Sequence, residues 1–151
     1  MRIGPAVGVF LILAAPAGAQ SPVAVPPGTL IAARQSGMDL SYAAVASLKA
    51  AVKAKEDVKT LQPTAEALAG WAQVVPTLFP PGTDKGNNTT ALPAIWTDTA
   101  GFQKDVAAYQ DATKTLAAAA KAGDRAAFVA AFKDMGQACG ACHKGYRKKE
   151  S

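Results

Sequence analysis

Cysteine and histidine are nearly missing from this 151-residue chain, which has two of the first and one of the second. Two cysteines cannot staple a disulfide-dense mini-domain, and three soft ligands fall short of the four that a structural zinc site takes. Aromatic residues are also scarce, at 7%. The hydrophobic content of 50% includes 35 alanines, so it overstates the bulk available to a core. Alanine is the best helix former and is depleted in strands. No period-two strand and no internal repeat is present, so the chain reads as helical. A large excess of one charge is lacking too: 16 basic residues face 11 acidic ones, for a formal charge of +5. Charged residues at 18% beside this apolar content exclude a wholly disordered chain, and the length suits one domain.

Residues 1–19 carry the marks of a cleaved secretory signal. Arg2 supplies the positive start, Val7–Ala15 a short apolar run, and Ala17-Gly18-Ala19 the small-x-small cleavage pattern. The run is too short to span a bilayer, which takes about 20 residues, and Pro5 and Pro16 flank it. No stable membrane span is therefore expected, and the mature protein is expected in the periplasm. Residues 20–28, with Pro22, Pro26, Pro27 and Gly28, read as a flexible lead-in, and 29–151 as one folded unit.

Helical period sets in near Thr29. Ile31, Arg34, Met38, Ser41, Val45, Leu48 and Val52 recur at steps of three and four and mark one helical face, ended by a turn over Lys53–Asp57. A second helix is expected over roughly 58–78 with Leu61, Leu68, Trp71 and Val75 inward, disturbed by Pro63 and Pro76. Residues 79–93 hold Pro80, Pro81, Gly82, Gly86, Asn87 and Asn88 and form a loop. The third helix, roughly 93–122, carries Ile95, Thr99, Phe102, Val106, Tyr109, Thr113 and Leu116. Gly123 fits its C-terminal cap and Asp124 the N-cap of the last helix. That helix carries Phe128, Phe132, Met135, Cys139, Cys142 and Tyr146 along one stripe to about Lys149. Four helices with mostly short links predict an all-α antiparallel four-helix bundle.

Cys139-Gly140-Ala141-Cys142-His143 is the one motif that carries chemistry. Two thiols three positions apart share a side of a helix and can add to the two vinyl groups at one porphyrin edge. The histidine after the second cysteine then stands at the iron as an axial imidazole. A thioredoxin-like pair would want a βαβ setting, and a disulfide at this spacing on a continuous helix would be strained. One covalent haem c is the cofactor expected. The basic cluster of Lys144, Arg147, Lys148 and Lys149 has two readings: favourable charge on the last helical turn, or a docking patch for an acidic partner. An exported protein rarely meets nucleic acid, so none is expected as a partner.

The motif lies on the last of the four helices, close to the C-terminus. With Arg34-Gln35-Ser36-Gly37-Met38, Phe79-Pro80-Pro81-Gly82-Thr83 and Ile95-Trp96, this placement resembles the cytochrome c′ family, whose fold is a four-helix bundle. The resemblance covers nearly all of residues 20–151. It implies that Cys139 and Cys142 form the thioethers and that His143 is the proximal iron ligand. It also places Arg147 beside the proximal face, against the alternative of a solvated charge. Arg34, on the inner face, would meet a haem propionate with Gln35 as a neighbouring donor; the alternative is an arginine snorkelling to solvent. Met38 falls over the distal iron position. There it either ligates iron, as in low-spin His/Met members suited to electron transfer, or screens an open five-coordinate site; from periodicity alone it is core.

The implied function is one-electron transfer between redox partner proteins. The competing one is binding of nitric oxide or carbon monoxide, for sequestration or sensing. No second histidine offers a distal acid–base group, so an enzyme is not expected. The family often forms homodimers through its first two helices, with Tyr42, Leu48 and Trp71 as candidate contacts here. A haem buried among alanine-rich helices would supply much of the missing core bulk.

Overall fold

A computed structural model describes residues 25–149; the expected signal at 1–19 and residues 20–24 of the lead-in lie outside the described residues. Helix α1 (Pro27–Lys53) opens on a proline, whose missing N–H would have gone unpaired at that position. It therefore starts two residues before Thr29 and takes Pro27 and Gly28 from the lead-in. The 58–78 stretch is built in three pieces: a 3-10 turn Val58–Leu61, α2 (Gln62–Val74) and a second 3-10 turn Val75–Leu78. Its two prolines set the joints, since each sits in the first turn of a piece, where no backbone donor is lost.

The third helix is also broken. A single turn, α3 (Ala94–Thr97), stops at Asp98, whose φ of −117° and ψ of 62° leave the helical region, and α4 (Thr99–Ala122) restarts there. Asp98 Oδ1 accepts the Gly101 N–H at 3.1 Å and caps α4. Gly123 ends α4 in the left-handed region with φ 73°, and Asp124 caps α5 (Arg125–Tyr146) by accepting the Ala127 N–H at 2.9 Å. Both caps match expectation.

Helix α5 stops short of Lys149 because the loop captures its end. Arg147 is extended and pairs with Ala91 across an isolated antiparallel bridge. The Leu92 N–H donates to Tyr146 O at 2.9 Å, and the Lys148 N–H donates to Thr90 O at 2.8 Å.

Helices α1, α2, α4 and α5 form the all-α four-helix bundle, with no strand among the described residues. The two-residue link at Gly123 and Asp124 turns α5 back along α4, and α4 packs on both α5 and α2. Helix α1 lies mainly on α2 and its flanking turns. At one end of the bundle the Arg125 guanidinium ties α5 to the exit of α1, donating to Val52 O at 2.8 Å and Glu56 O at 3.0 Å. Most of the buried apolar residues fall into two clusters. A larger one includes Leu48, Leu68, Leu116, Phe128 and Met135; a smaller one includes Ile95, Phe102, Val106 and Tyr146.

Among the described residues no helix is long and apolar enough to cross a membrane. Leu48 is fully buried, so the expectation that it could meet a second copy is wrong: its side chain is spent on the core of its own chain. The exposed large apolar residues of α1 are Leu40 and Tyr42, at 72% and 78% exposure.

Candidate functional site

Helix α5 is continuous from Arg125 to Tyr146, so Cys139 and Cys142 share one side of it, with His143 one turn beyond Cys139. Cys139 is half-buried against the larger apolar cluster and Cys142 against the smaller one. The motif thus stands where the two halves of the core meet. Burial pushes both thiols up, Cys142 to about 11 with further upward pressure from Asp105 and Cys139. Neither is the low-pKa nucleophile that a disulfide oxidoreductase needs. His143 is on the exposed side of α5. Partial desolvation and then the positive charge of Arg147 hold its pKa below the usual value, which favours the neutral, ligating imidazole. Among the described residues no three His, Cys, Asp or Glu side chains converge as a metal site.

The inward stripes of the helices are half-covered around the two cysteines. On α1, Ile31 and Arg34 are buried at one end and Leu48 and Ala51 at the other, while Met38, Ser41 and Val45 between them are only half-covered. On α4, Val106 and Thr113 are buried with Tyr109 half-covered between them. On α5, Met135, Ala138 and Tyr146 are buried, with Cys139 and Cys142 half-covered. Three of the half-covered positions meet: Tyr109 lies beside Ser41, and both burial and the nearby Cys139 push its pKa up. Half-covered apolar side chains and two thiols beside both clusters are the surroundings a porphyrin held by the cysteines would take.

Arg34 is buried at 4% exposure. It donates to Leu78 O at 3.2 Å, to Thr83 O at 2.7 Å and to Thr89 Oγ1 at 2.7 Å, and its guanidinium lies 4.6 Å from the Phe79 ring centroid. The snorkelling alternative is thereby excluded. All three acceptors are neutral, so these bonds leave the charge itself uncompensated, and two of the five guanidinium hydrogens remain for another acceptor. Gln35 Nε2 donates to Asn87 O at 3.0 Å, and Asn87 Nδ2 in turn donates to Gly28 O at 2.8 Å. Arg34 and Gln35, adjacent in sequence, thus both hold the 79–93 loop against α1.

Met38 is half-buried in the middle of α1. Arg147 has left the helix at its cap yet stays close enough to lower the His143 pKa. Asp98 and Tyr146 form a contact that sequence reasoning missed. Asp98 caps α4 with one oxygen, and its other oxygen accepts the Tyr146 hydroxyl at 2.8 Å. Tyr146 also packs edge-on against Phe102, with ring centroids 5.4 Å apart. The Asp98-to-Gly101 spacing is a helix-start signal hidden inside an unbroken apolar period.

A four-helix bundle with a Cys-x-x-Cys-His motif on its last helix, between the two apolar clusters, defines a bundle-type c-type cytochrome. The cytochrome C′ family model matches residues 29–147, and the chain belongs to the cytochrome c′ family. It is 37% identical over 126 residues to cytochrome c′ of Rubrivivax gelatinosus, covering 82% of this chain and 97% of that one. The crystal structure of that relative superposes with a TM-score of 0.76 at 35% identity, over 81% of this chain and 97% of the other. Cytochrome c prime of Alcaligenes xylosoxidans is similar as well. A nitric oxide complex of one variant matches with a TM-score of 0.76 over 82% of this chain and 97% of that one, and a carbon monoxide-bound variant with 0.75 over 82% and 98%, both at 36% identity.

Proposed function

We propose that this protein carries one electron at a time between redox partner proteins outside the cytoplasm and transforms no substrate of its own. In this reading Cys139 and Cys142 hold one haem c by thioether bonds and His143 is its proximal ligand. The haem supplies the one-electron couple at iron. The observation that carries the proposal is the end of α5. His143 faces outward there among the exposed Lys144, Arg147, Lys148 and Lys149, and Lys85 joins Lys148 across the loop. A cationic rim around a redox edge attracts an acidic partner and speeds encounter.

Within the fold, Arg34 holds the loop and offers its uncompensated charge to a propionate, with Gln35 beside it. Arg147 keeps positive charge near the proximal imidazole. Met38 closes the distal side.

The experiment is an absorption spectrum of both oxidation states with and without carbon monoxide, together with the mass of the purified protein. A mass raised by one haem and a low-spin reduced spectrum are expected, with carbon monoxide bound only weakly through a minor open fraction. A mass without the haem increment refutes covalent attachment. A second reading, a five-coordinate protein that binds nitric oxide or carbon monoxide, is favoured by the gas complexes of the Alcaligenes relative. A high-spin spectrum that shifts with carbon monoxide would establish that reading instead.

A further inference from the structure

We infer that Gly37 and Trp71 form a positioning pair that sets where Met38 stands over the iron, and thereby how far the distal side is open. This rests on the reading that Met38 faces that side. Gly37 lies in the interior of α1, and its φ is not positive, so the backbone does not require glycine; in a helix interior glycine is weaker than alanine. Space requires it. A Cβ at Gly37 would overlap the six-membered ring of Trp71 at Cη2, Cζ3 and Cζ2. The indole of α2 is thus seated on bare backbone of α1, one residue from Met38.

Two further observations concern the same turn. Ser41 Oγ donates back to the Gly37 carbonyl at 2.7 Å, a bond that bends helices and competes with their own hydrogen bonds. Trp71 Nε1 is buried without a hydrogen-bond partner, which is unfavourable. The indole therefore contributes by size and shape rather than by its donor. At a pliable turn whose inner side chains are only half-covered, the thickness of the group beneath the backbone fixes the backbone's position. Met38 moves with it.

The test compares holoproteins carrying Gly37→Ala, Trp71→Leu, both changes, and Met38→Ala, read by spin-state spectra and by carbon monoxide affinity. Gly37→Ala widens the spacing between α1 and α2, and Trp71→Leu narrows it. The two are expected to shift carbon monoxide affinity in opposite directions, with the double variant returning toward wild type. The shift reaches about tenfold where the open fraction moves between a tenth and nearly all. Shifts in the same direction would indicate general loosening and overturn the inference, as would an unchanged spectrum and affinity in both single variants while Met38→Ala alters them. If Gly37→Ala fails to take up haem, Trp71→Leu alone decides: a changed affinity at intact haem content supports the pair, and an unchanged one overturns it. An unchanged spectrum in Met38→Ala would remove the reading of Met38, and the inference with it.

Discussion

Replacing Arg34 with alanine removes the buried cation that joins α1 to the 79–93 loop. Three donated bonds are lost, at 3.2, 2.7 and 2.7 Å, with the cation–π contact to Phe79 at 4.6 Å. Hydrogen bonds from a charged donor contribute about 1.5–3 kcal/mol each and the cation–π contact about 0.5–2. Their plain addition overshoots, because burying a guanidinium is itself unfavourable by several kcal/mol; burial accordingly lowers the Arg34 pKa. What remains is mainly the cost of leaving the Leu78 and Thr83 carbonyls unpaired, at about 1–3 kcal/mol each. The expected loss is therefore about 3–5 kcal/mol, in the range found when one partner of a buried charged network is removed.

Urea unfolding of the holoprotein measures that loss, and amide hydrogen exchange locates it, with faster exchange expected across 79–93. Lysine at this position should recover less than half, since one ammonium cannot serve three oxygens held in a guanidinium's geometry. A loss below about 1 kcal/mol with unchanged loop exchange would refute the clamp. The reduction potential tests the propionate separately. Removing a cation near the haem disfavours the reduced form, so the potential should fall, and an unchanged potential would refute that pairing.

Asp98→Asn should return the Tyr146 phenol from about 12 toward its ordinary 10.0, read by ultraviolet titration. The folded-state pKa is raised, so the contribution of this contact is complete below the ordinary value and lost as pH climbs through about 12; wild type should therefore lose more stability than Asp98→Asn across that window. The double change Cys139→Ser and Cys142→Ser should give a haem-free chain that keeps helical circular dichroism but swells and binds a hydrophobic dye; a compact, cooperatively unfolding product would contradict the account of the core. Lys148→Glu with Lys149→Glu should slow reduction by an acidic redox protein and weaken the ionic-strength dependence of the rate; equal rates at low salt would exclude this face as the docking site.

What the sequence discloses and what it hides divide along local and non-local lines. Gly123 and Asp124 act through groups within four residues, so their caps are legible, as is the pentapeptide from Cys139 to His143. The break at Asp98 is hidden because Ile95, Thr99 and Phe102 keep their phase across it, and the tyrosine that occupies its second oxygen lies 48 residues away. The early end of α5 depends on Ala91, and two of the three Arg34 acceptors are backbone carbonyls, which every residue carries. The fit of Trp71 to Gly37 joins a large group to an absent one on different helices, which no single-chain period records.

The poverty of large side chains was visible at once, but its distribution was not. The chain fills both ends of the bundle, with Phe128, Leu116 and Met135 toward one and Phe102, Ile95 and Tyr146 toward the other. It leaves Met38, Ser41, Tyr109, Cys139 and Cys142 half-covered between them. The two cysteines stand one against each cluster, so a porphyrin held by both thioethers would meet side chains of each and join the two parts of the core.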